Sequence, residues 1–397
     1  MTTATRAPSR TVLLMIVLAG LSSVAPFATD MYVPGFPSMA DSLHTDSANV
    51  QLSMTTFLIG LALGQILFGP ISDSLGRRPV LLAGSAAFVV FSVVCAVAPG
   101  VEVLIAARLL QGLAGATGIV VSRAVIADRF EGVDAARRFS ALIMIFSVAP
   151  VVAPIIGGGI LAVGTWQLVF AALAVFGVLL VVGVLARVPE SLPAGNRHAG
   201  GLGATFRAMA RLLKKRAMIG YVIVASCAGI ALFGYIAGSS FVFQDLYGAS
   251  ETQYSLIFAT NALGMLAGAA LFNRLAGRVR PRKLLIRGVL CGLVPAVVLV
   301  VLLLVGAGGF AVTWIFLFLA IGSLGFVMPS VTSLGQETGR EAAGAASALI
   351  GGGQFVLGAI ASPLVGAFGV GSALPMATMV LIGFAGGVLG LAVSTRG

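Results

Sequence analysis

The chain reads as an all-α membrane protein: twelve transmembrane helices in two pseudo-symmetric six-helix halves. Three observations predict this. Hydrophobic residues make up 59% of the 397 and charged residues only 9%, against about 25% charged in soluble domains, so lipid must solvate much of the surface. Apolar runs of about 20 residues, the length that crosses a bilayer core, recur about twelve times. Finally, of the 24 Lys and Arg, all but Arg108 and Arg123 fall at the chain ends or in every second connection. Basic residues mark the cytoplasmic side, which predicts a multi-pass protein of the bacterial inner membrane with both termini inside.

The first span, 11–37, follows Arg6 and Arg10 and carries small residues after its apolar core, as a signal peptide would. Cleavage there would leave eleven spans and remove Asp30, so an uncleaved span is the better reading. The next five fall near 48–71, 79–98, 101–125, 138–163 and 165–187, completing an N-terminal half over 1–187. A linker over 188–216 opens with Pro189 and Pro193. Between Phe206 and Arg216 its apolar residues recur at helical spacing with basic ones between, which suggests either a short amphipathic helix on the inner leaflet or a solvated basic linker. Spans near 217–243, 252–275, 281–305, 309–331, 342–366 and 372–394 make a C-terminal half over 217–397.

The halves repeat at an offset of 204 residues. Thr56, Gly60, Gly64 and Phe68 recur as Thr260, Gly264, Gly268 and Phe272, and Arg78, Leu81 and Gly84 as Arg282, Leu285 and Gly288. Both copies share one orientation, so this is a parallel repeat, the pattern of two-half transporters. The Gly-x-x-x-Gly pairs predict close helix approach.

Ionisable groups inside spans are costly and mark function. Asp30 and Arg108 each fall about six residues from the outer end of their spans, hence about 9 Å deep. Equal depth lets them pair directly or through Gln111, one turn from Arg108, as a proton-coupling site; a static ion pair, or an Asp30 in the outer loop, is the plain alternative. At the repeat offset they correspond to Gly234 and Val312, so the pair belongs to one half only, as coupling chemistry requires. Residues suited to a substrate cavity are Tyr32, Phe57, Gln111, Phe146, Phe233, Tyr235, Phe241, Gln244 and Asn261, each with core packing as its commoner role. Pro150, Pro154, Gly157 and Gly158 predict a kinked fifth span, for gating or for packing. The hairpin at 69–79 opens at Gly69; in it Gly76 allows a tight turn, Asp73 can cap a helix end, and Arg77 and Arg78 anchor the inner surface.

Other functions find no support. The net charge of +11 is explained by loops facing anionic lipid rather than by nucleic acid. Cys95, Cys227 and Cys291 read as buried apolar thiols, and with His44 and His198 on opposite sides no metal site assembles. No nucleophile elbow or zinc motif occurs, so an enzyme is not expected. The expected partners are a small molecule, protons and lipid, with a monomer as the working unit and no cofactor beyond the proton as coupling ion.

These residues resemble the major facilitator superfamily over nearly the whole chain. Residues 69–78 are similar to its Gly-x-x-x-Asp-Arg-x-Gly-Arg-Arg loop, with Ser74 where an Arg is usual. Arg108-x-x-Gln111-Gly112 resembles the fourth-helix motif of its proton-coupled drug antiporters, and Pro150 to Gly159 the antiporter motif of the fifth helix, with Ala153-Pro154 in place of Gly-Pro. Thr29 to Pro37 and Tyr235 to Gln244 are similar to the bicyclomycin and chloramphenicol resistance (Bcr/CflA) branch. The resemblance implies the major facilitator fold and a proton-coupled antiporter that exports small amphiphilic drugs, conferring antibiotic resistance. Asp73 would then latch onto the start of the eleventh helix near 339–342 in the outward-open state, with Arg77, Arg78 or Arg340 compensating for Ser74. Export of a natural metabolite and facilitated uptake are the alternatives.

Overall fold

A computed structural model describes residues 8–197, 202–276, 278–369 and 371–395. Arg6 and His198 lie outside the described residues. Among the described residues, twelve helical spans are long and apolar enough to cross a membrane. They are built from α1 (Pro8–Asp30), α2 (Phe36–Ser42), α3 (Ser47–Leu75), α4 (Arg77–Ala96), α5 (Val101–Arg129), α6 (Gly132–Leu161) and α7 (Trp166–Arg187), then α9 (Arg216–Phe241), α10 (Glu251–Leu275), α11 (Pro281–Leu304), α12 (Phe310–Thr338), α13 (Ala343–Ala367) and α14 (Leu374–Thr395), with the short α8 (Leu202–Leu212) between the two sets. Below, the inner end of the bundle is the end that carries the basic connections.

Helix boundaries follow local chemistry. Asp46 caps α3 by accepting from the Asn49 N–H at 2.7 Å, and Ser250 with Gln253 forms a reciprocal capping box on α10. The predicted inner loop at 72–78 shrinks to Gly76 alone, because Ser72, Asp73 and Ser74 continue the helix past the apolar run. Gly76 has φ of +102°, where a side chain is strained, and a Cβ there would meet the Glu190 carboxylate at 2.5 Å.

The first span differs most from expectation. Its helix stops at Asp30, a 3-10 turn runs from Val33 to Gly35, and a second helix carries the span out to Ser42. Pro34 has no N–H to give the Asp30 carbonyl four residues back, and its ring crowds that carbonyl, which explains the break. Asp30 therefore ends a helix inside the span rather than standing one short step below its outer edge. The seventh span likewise runs on to Leu246 through a π-helical turn at Val242–Leu246.

The repeat is visible as packing. A Cβ on Gly60 would stand 2.2 Å from the Leu109 carbonyl oxygen on α5, and one on Gly264 would stand 2.9 Å from the Phe318 ring on α12. Gly84 abuts Thr117 on α5 as Gly288 abuts Phe326 and Val327 on α12. The same glycines thus bring the same helix pairs together in each half.

Two expectations are corrected. Cys291 is exposed, whereas Cys95 and Cys227 are buried; position 291 faces outward from α11. The amphipathic segment is helical, as α8, but its apolar residues Met209 and Leu212 are buried against Met218, Ala345 and Ala346 and touch Ile66. Protein receives those two residues, since α9 and α13 offer them an apolar surface, while Phe206 and Leu213 stay exposed. The fifth span, α6, is one helix that contains Pro150 and Pro154. Its glycines serve contact: a Cβ on Gly157 would overlap the Met31 carbonyl, and one on Gly158 the Ser255 side chain on α10.

Candidate proton and substrate site

Arg108 is fully buried on α5. Its Nη1 donates to Gln111 Oε1 at 2.6 Å and its Nη2 to the Ala28 carbonyl at 2.9 Å. The guanidinium lies against the Phe57 ring at 4.0 Å and the Tyr32 ring at 4.4 Å, a desolvated cation–π arrangement. Gln111 passes the network on to Ser92 Oγ at 2.7 Å. The break after α1 suits this bond, because the last carbonyls of a helix have no partner of their own.

Asp30 is also buried, and its carboxylate accepts from Thr29 Oγ1 at 2.8 Å. The equal depth of Asp30 and Arg108 holds, since Arg108 bonds the backbone at Ala28, but the direct pairing does not. Among the described residues no ion pair within 4.0 Å joins them. Gln111 and the helix-end carbonyl occupy the guanidinium instead. Asp30 stands at the interface, close enough for its charge to act on Tyr235 and Tyr254 of the other half.

Those tyrosines form a neutral polar cluster. Asn261 Nδ2 donates to the Tyr235 hydroxyl at 2.8 Å, and the Ser239 and Tyr254 hydroxyls share a bond of 2.8 Å. Tyr235 stacks on Phe258 with centroids 5.6 Å apart. Asn261 Oδ1 is buried with no partner, which leaves an acceptor for a ligand. The proposed cavity residues thus divide. Tyr32, Phe57 and Gln111 cage Arg108; Tyr235 and Asn261 face Asp30 from the other half. Phe233 packs on Phe355 and Gly358 within its own half, and Phe146 is half-buried and joins neither group.

Phe241 and Gln244 belong to an outer seal. Phe241 meets Phe36 across the halves with centroids 6.0 Å apart, and Gln244 Nε2 donates to the Pro34 carbonyl at 2.8 Å. The centre of the seal is Gln51, fully buried and absent from the sequence-derived set. Its Nε2 donates to the Ala237 carbonyl at 3.1 Å, its Oε1 accepts from the Gly366 N–H at 2.8 Å, and its own carbonyl accepts from Ser362 Oγ at 3.3 Å. Its signal was an amide one turn into an otherwise apolar span.

At the inner end the latch is unmade. Asp73 pairs with Arg77, which also donates to Asp128 Oδ2 at 3.0 Å. Residues 339–342 are not reached by Asp73; there Lys215 bonds Glu341 and the Thr338 carbonyl. Arg340 is exposed. Glu190, also missed, accepts from the Arg77 N–H at 2.9 Å and the Arg78 N–H at 3.3 Å, capping α4. The bonds that Gln51, Gln244 and Ser362 make across the halves all lie at the outer end, so hydrogen bonds seal the halves there, while farther in they still touch, a Cβ on Gly351 meeting Gln65 Oε1 at 2.8 Å.

Two like helical halves with buried ionisable residues at their interface are the architecture of a membrane transporter. A family model described as Major Facilitator Superfamily matches residues 18–363, and the chain belongs to that superfamily, whose members are transporters and not enzymes. It is 36% identical to the uncharacterized MFS-type transporter YdgK of Bacillus subtilis (strain 168) over 371 residues, covering 93% of this chain and 92% of the relative. It is 30% identical to a bicyclomycin resistance protein homolog of Haemophilus influenzae, covering 92% of each chain. Among solved structures it matches a mutant of the nucleoside transporter NupG with a TM-score of 0.76 at 14% identity, over 98% of this chain and 99% of that one; this shows the fold alone.

Proposed function

We propose that the protein is a proton-coupled antiporter that exports small amphiphilic drugs by alternating access, with Asp30 as the proton carrier. The observation that carries this reading is a carboxyl group buried at the interface with no cation beside it. A buried carboxylate is tolerated when paired, and otherwise the neutral acid is the cheaper form. Here Arg108 is engaged elsewhere, so Asp30 is free to exchange a proton as its surroundings change. With the outside closed, opening the inner path wets Asp30 and favours release of the proton inward. A substrate then takes the place between Asp30 and the Tyr235–Asn261 cluster. Rocking of the halves undoes the Gln51 seal, exposes Asp30 outward and reloads it. The bicyclomycin resistance homolog supports the drug class.

The test is substrate-induced proton release from purified protein in detergent, with chloramphenicol and a lipophilic cation as probes. The wild type releases protons on binding, and Asp30→Asn binds without release. Equal release from both proteins removes Asp30 from the mechanism.

A further inference from the structure

Arg123 has no part in the site above. It lies on α5 some four turns inward of Arg108 and about 9 Å from the inner end of the helix at Arg129. Among the described residues it forms no hydrogen bond or ion pair, although a cation inside a span is costly and normally partnered. At about 100° per residue, Arg123 stands about 60° around the helix from Arg108 and about 140° from Leu110. Leu110 and Val103 are exposed and mark the lipid side, so Arg123 faces the interior. Along that interior face Ala116 and Ile119 are buried, and Arg123 and Ala127 are exposed. The face passes from packed protein to exposed surface toward the inner end, and Arg123 is its first charged group.

The same end of the bundle is strongly cationic. Arg207, Arg211 and Lys214 line an open depression on the surface beside α8. A basic surface concentrates anions near it. A guanidinium is a planar fork of donors that matches two oxygens of one carboxylate, which an ammonium does not.

We propose that Arg123 is the capture site for an amphiphile bearing a planar oxyanion, a carboxylate above all, on its way to the site between the halves. This rests on the export reading and names its substrate class. Fifteen residues separate Arg123 from Arg108, about 22 Å along the axis, so a drug-sized molecule held at Arg123 does not reach Asp30. Capture therefore precedes coupling, and Arg123 acts on affinity rather than on proton exchange. Export of an anion against proton entry moves charge in one sense only, so an inside-negative potential drives both.

The test uses full-length protein in detergent and a matched probe pair, 4-biphenylcarboxylate and its uncharged amide, 4-biphenylcarboxamide, followed by calorimetry. The wild type prefers the carboxylate by roughly tenfold, the worth of one charge-assisted pair in partial contact with water. Arg123→Gln loses that preference, and Arg123→Lys keeps part of it. In proteoliposomes Arg123→Gln raises KM for the carboxylate with kcat unchanged, the mark of lost ground-state binding. An undiminished preference in Arg123→Gln, or none in the wild type, overturns the proposal. So does a fall in kcat with binding intact, which makes Arg123 part of an inner latch. Loss of proton release in Asp30→Asn bears on the export reading alone.

Discussion

The two halves share a scaffold and divide the chemistry. Gly60 and Gly264 bring equivalent helices together, as do Gly84 and Gly288, yet the interior of one half holds Asp30, Arg108 and Arg123 while the other faces them with the hydroxyls and amide of Tyr235, Tyr254 and Asn261. Gly234 stands where the repeat would place an acid, and a Cβ there would meet the Met379 Cβ at 2.8 Å. Packing has been kept in duplicate because both halves must close on themselves. Charge stands once, as the proposed function asks: an acid that exchanges protons needs a neutral wall moving past it and not a second charge.

Moving the acid is the severest test of that asymmetry. Asp30→Asn lowers export driven by a pH gradient by at least about 100-fold, the usual worth of a proton-transferring group. Adding Gly234→Asp does not restore it, since the site beside Met379 is full and no cage of donors surrounds it. Recovery of gradient-driven export in proteoliposomes by the double variant would make the halves chemically equivalent and end the comparison. Next in size is Arg108→Met, which leaves the Ala28 carbonyl buried without a donor and Gln111 Oε1 with only the weak Cys95 thiol. Its expected destabilisation is about 2–4 kcal/mol, read by thermal unfolding in detergent. Val312→Met, the same residue at the corresponding place in the other half, changes stability by less than about 1 kcal/mol, as an apolar swap does at a half-buried position.

The asymmetry was legible before the structure, because buried charges stand out in apolar spans and the repeat shows which half lacks them. The twelve spans were legible for the same reason: length and hydropathy are local properties. The bonding was not. Nothing in the spacing of Asp30 and Arg108 reveals that α1 ends at Asp30 and leaves a carbonyl for the arginine to take. Helix ends also ran past the apolar runs at Leu75, Arg129 and Thr338, since polar residues stay helical where water begins. Gln51 and Glu190 were missed because each works on backbone groups far along the chain, at Gly366 and at Arg77, and no local pattern records such partners.

A second contrast, between an outer end sealed by hydrogen bonds across the halves and an inner end where none is found among the described residues, gives a smaller but cleaner effect. Gln51→Leu removes two side-chain hydrogen bonds that cross the halves, worth about 1–3 kcal/mol together. The gate equilibrium then moves outward by roughly 5- to 150-fold. Cysteine placed at Ser53, just beneath the seal, becomes correspondingly more reactive toward an impermeant thiol reagent. Unchanged reactivity in intact cells would show that Gln51 packs without holding the gate. Gly366→Ala acts in the same direction by wedging the contact, because its Cβ would stand 2.6 Å from Gln51 Oε1.

The smallest effect concerns the inner end, where Glu190 holds the start of α4. Burial raises the Glu190 carboxyl, but the N–H groups of Leu192, Arg77 and Arg78 and the charge of Arg197 outweigh it and hold the group below the ordinary Glu value of 4.5. A carboxyl lowered in the folded protein stabilises it above the unfolded value and loses that contribution as pH falls through the folded one. The Glu190 contribution is therefore complete at neutral pH and vanishes only in acid, below the usual Glu range. Glu190→Gln keeps an acceptor but loses the charge, so it lowers stability by about 0.5–1 kcal/mol at neutral pH and by nothing once both proteins are fully protonated. Melting curves of the two proteins that converge on acidification meet this expectation. A constant gap across the range would assign the capping of α4 to the amide geometry alone, and the inner end would then hold its shape without help from charge.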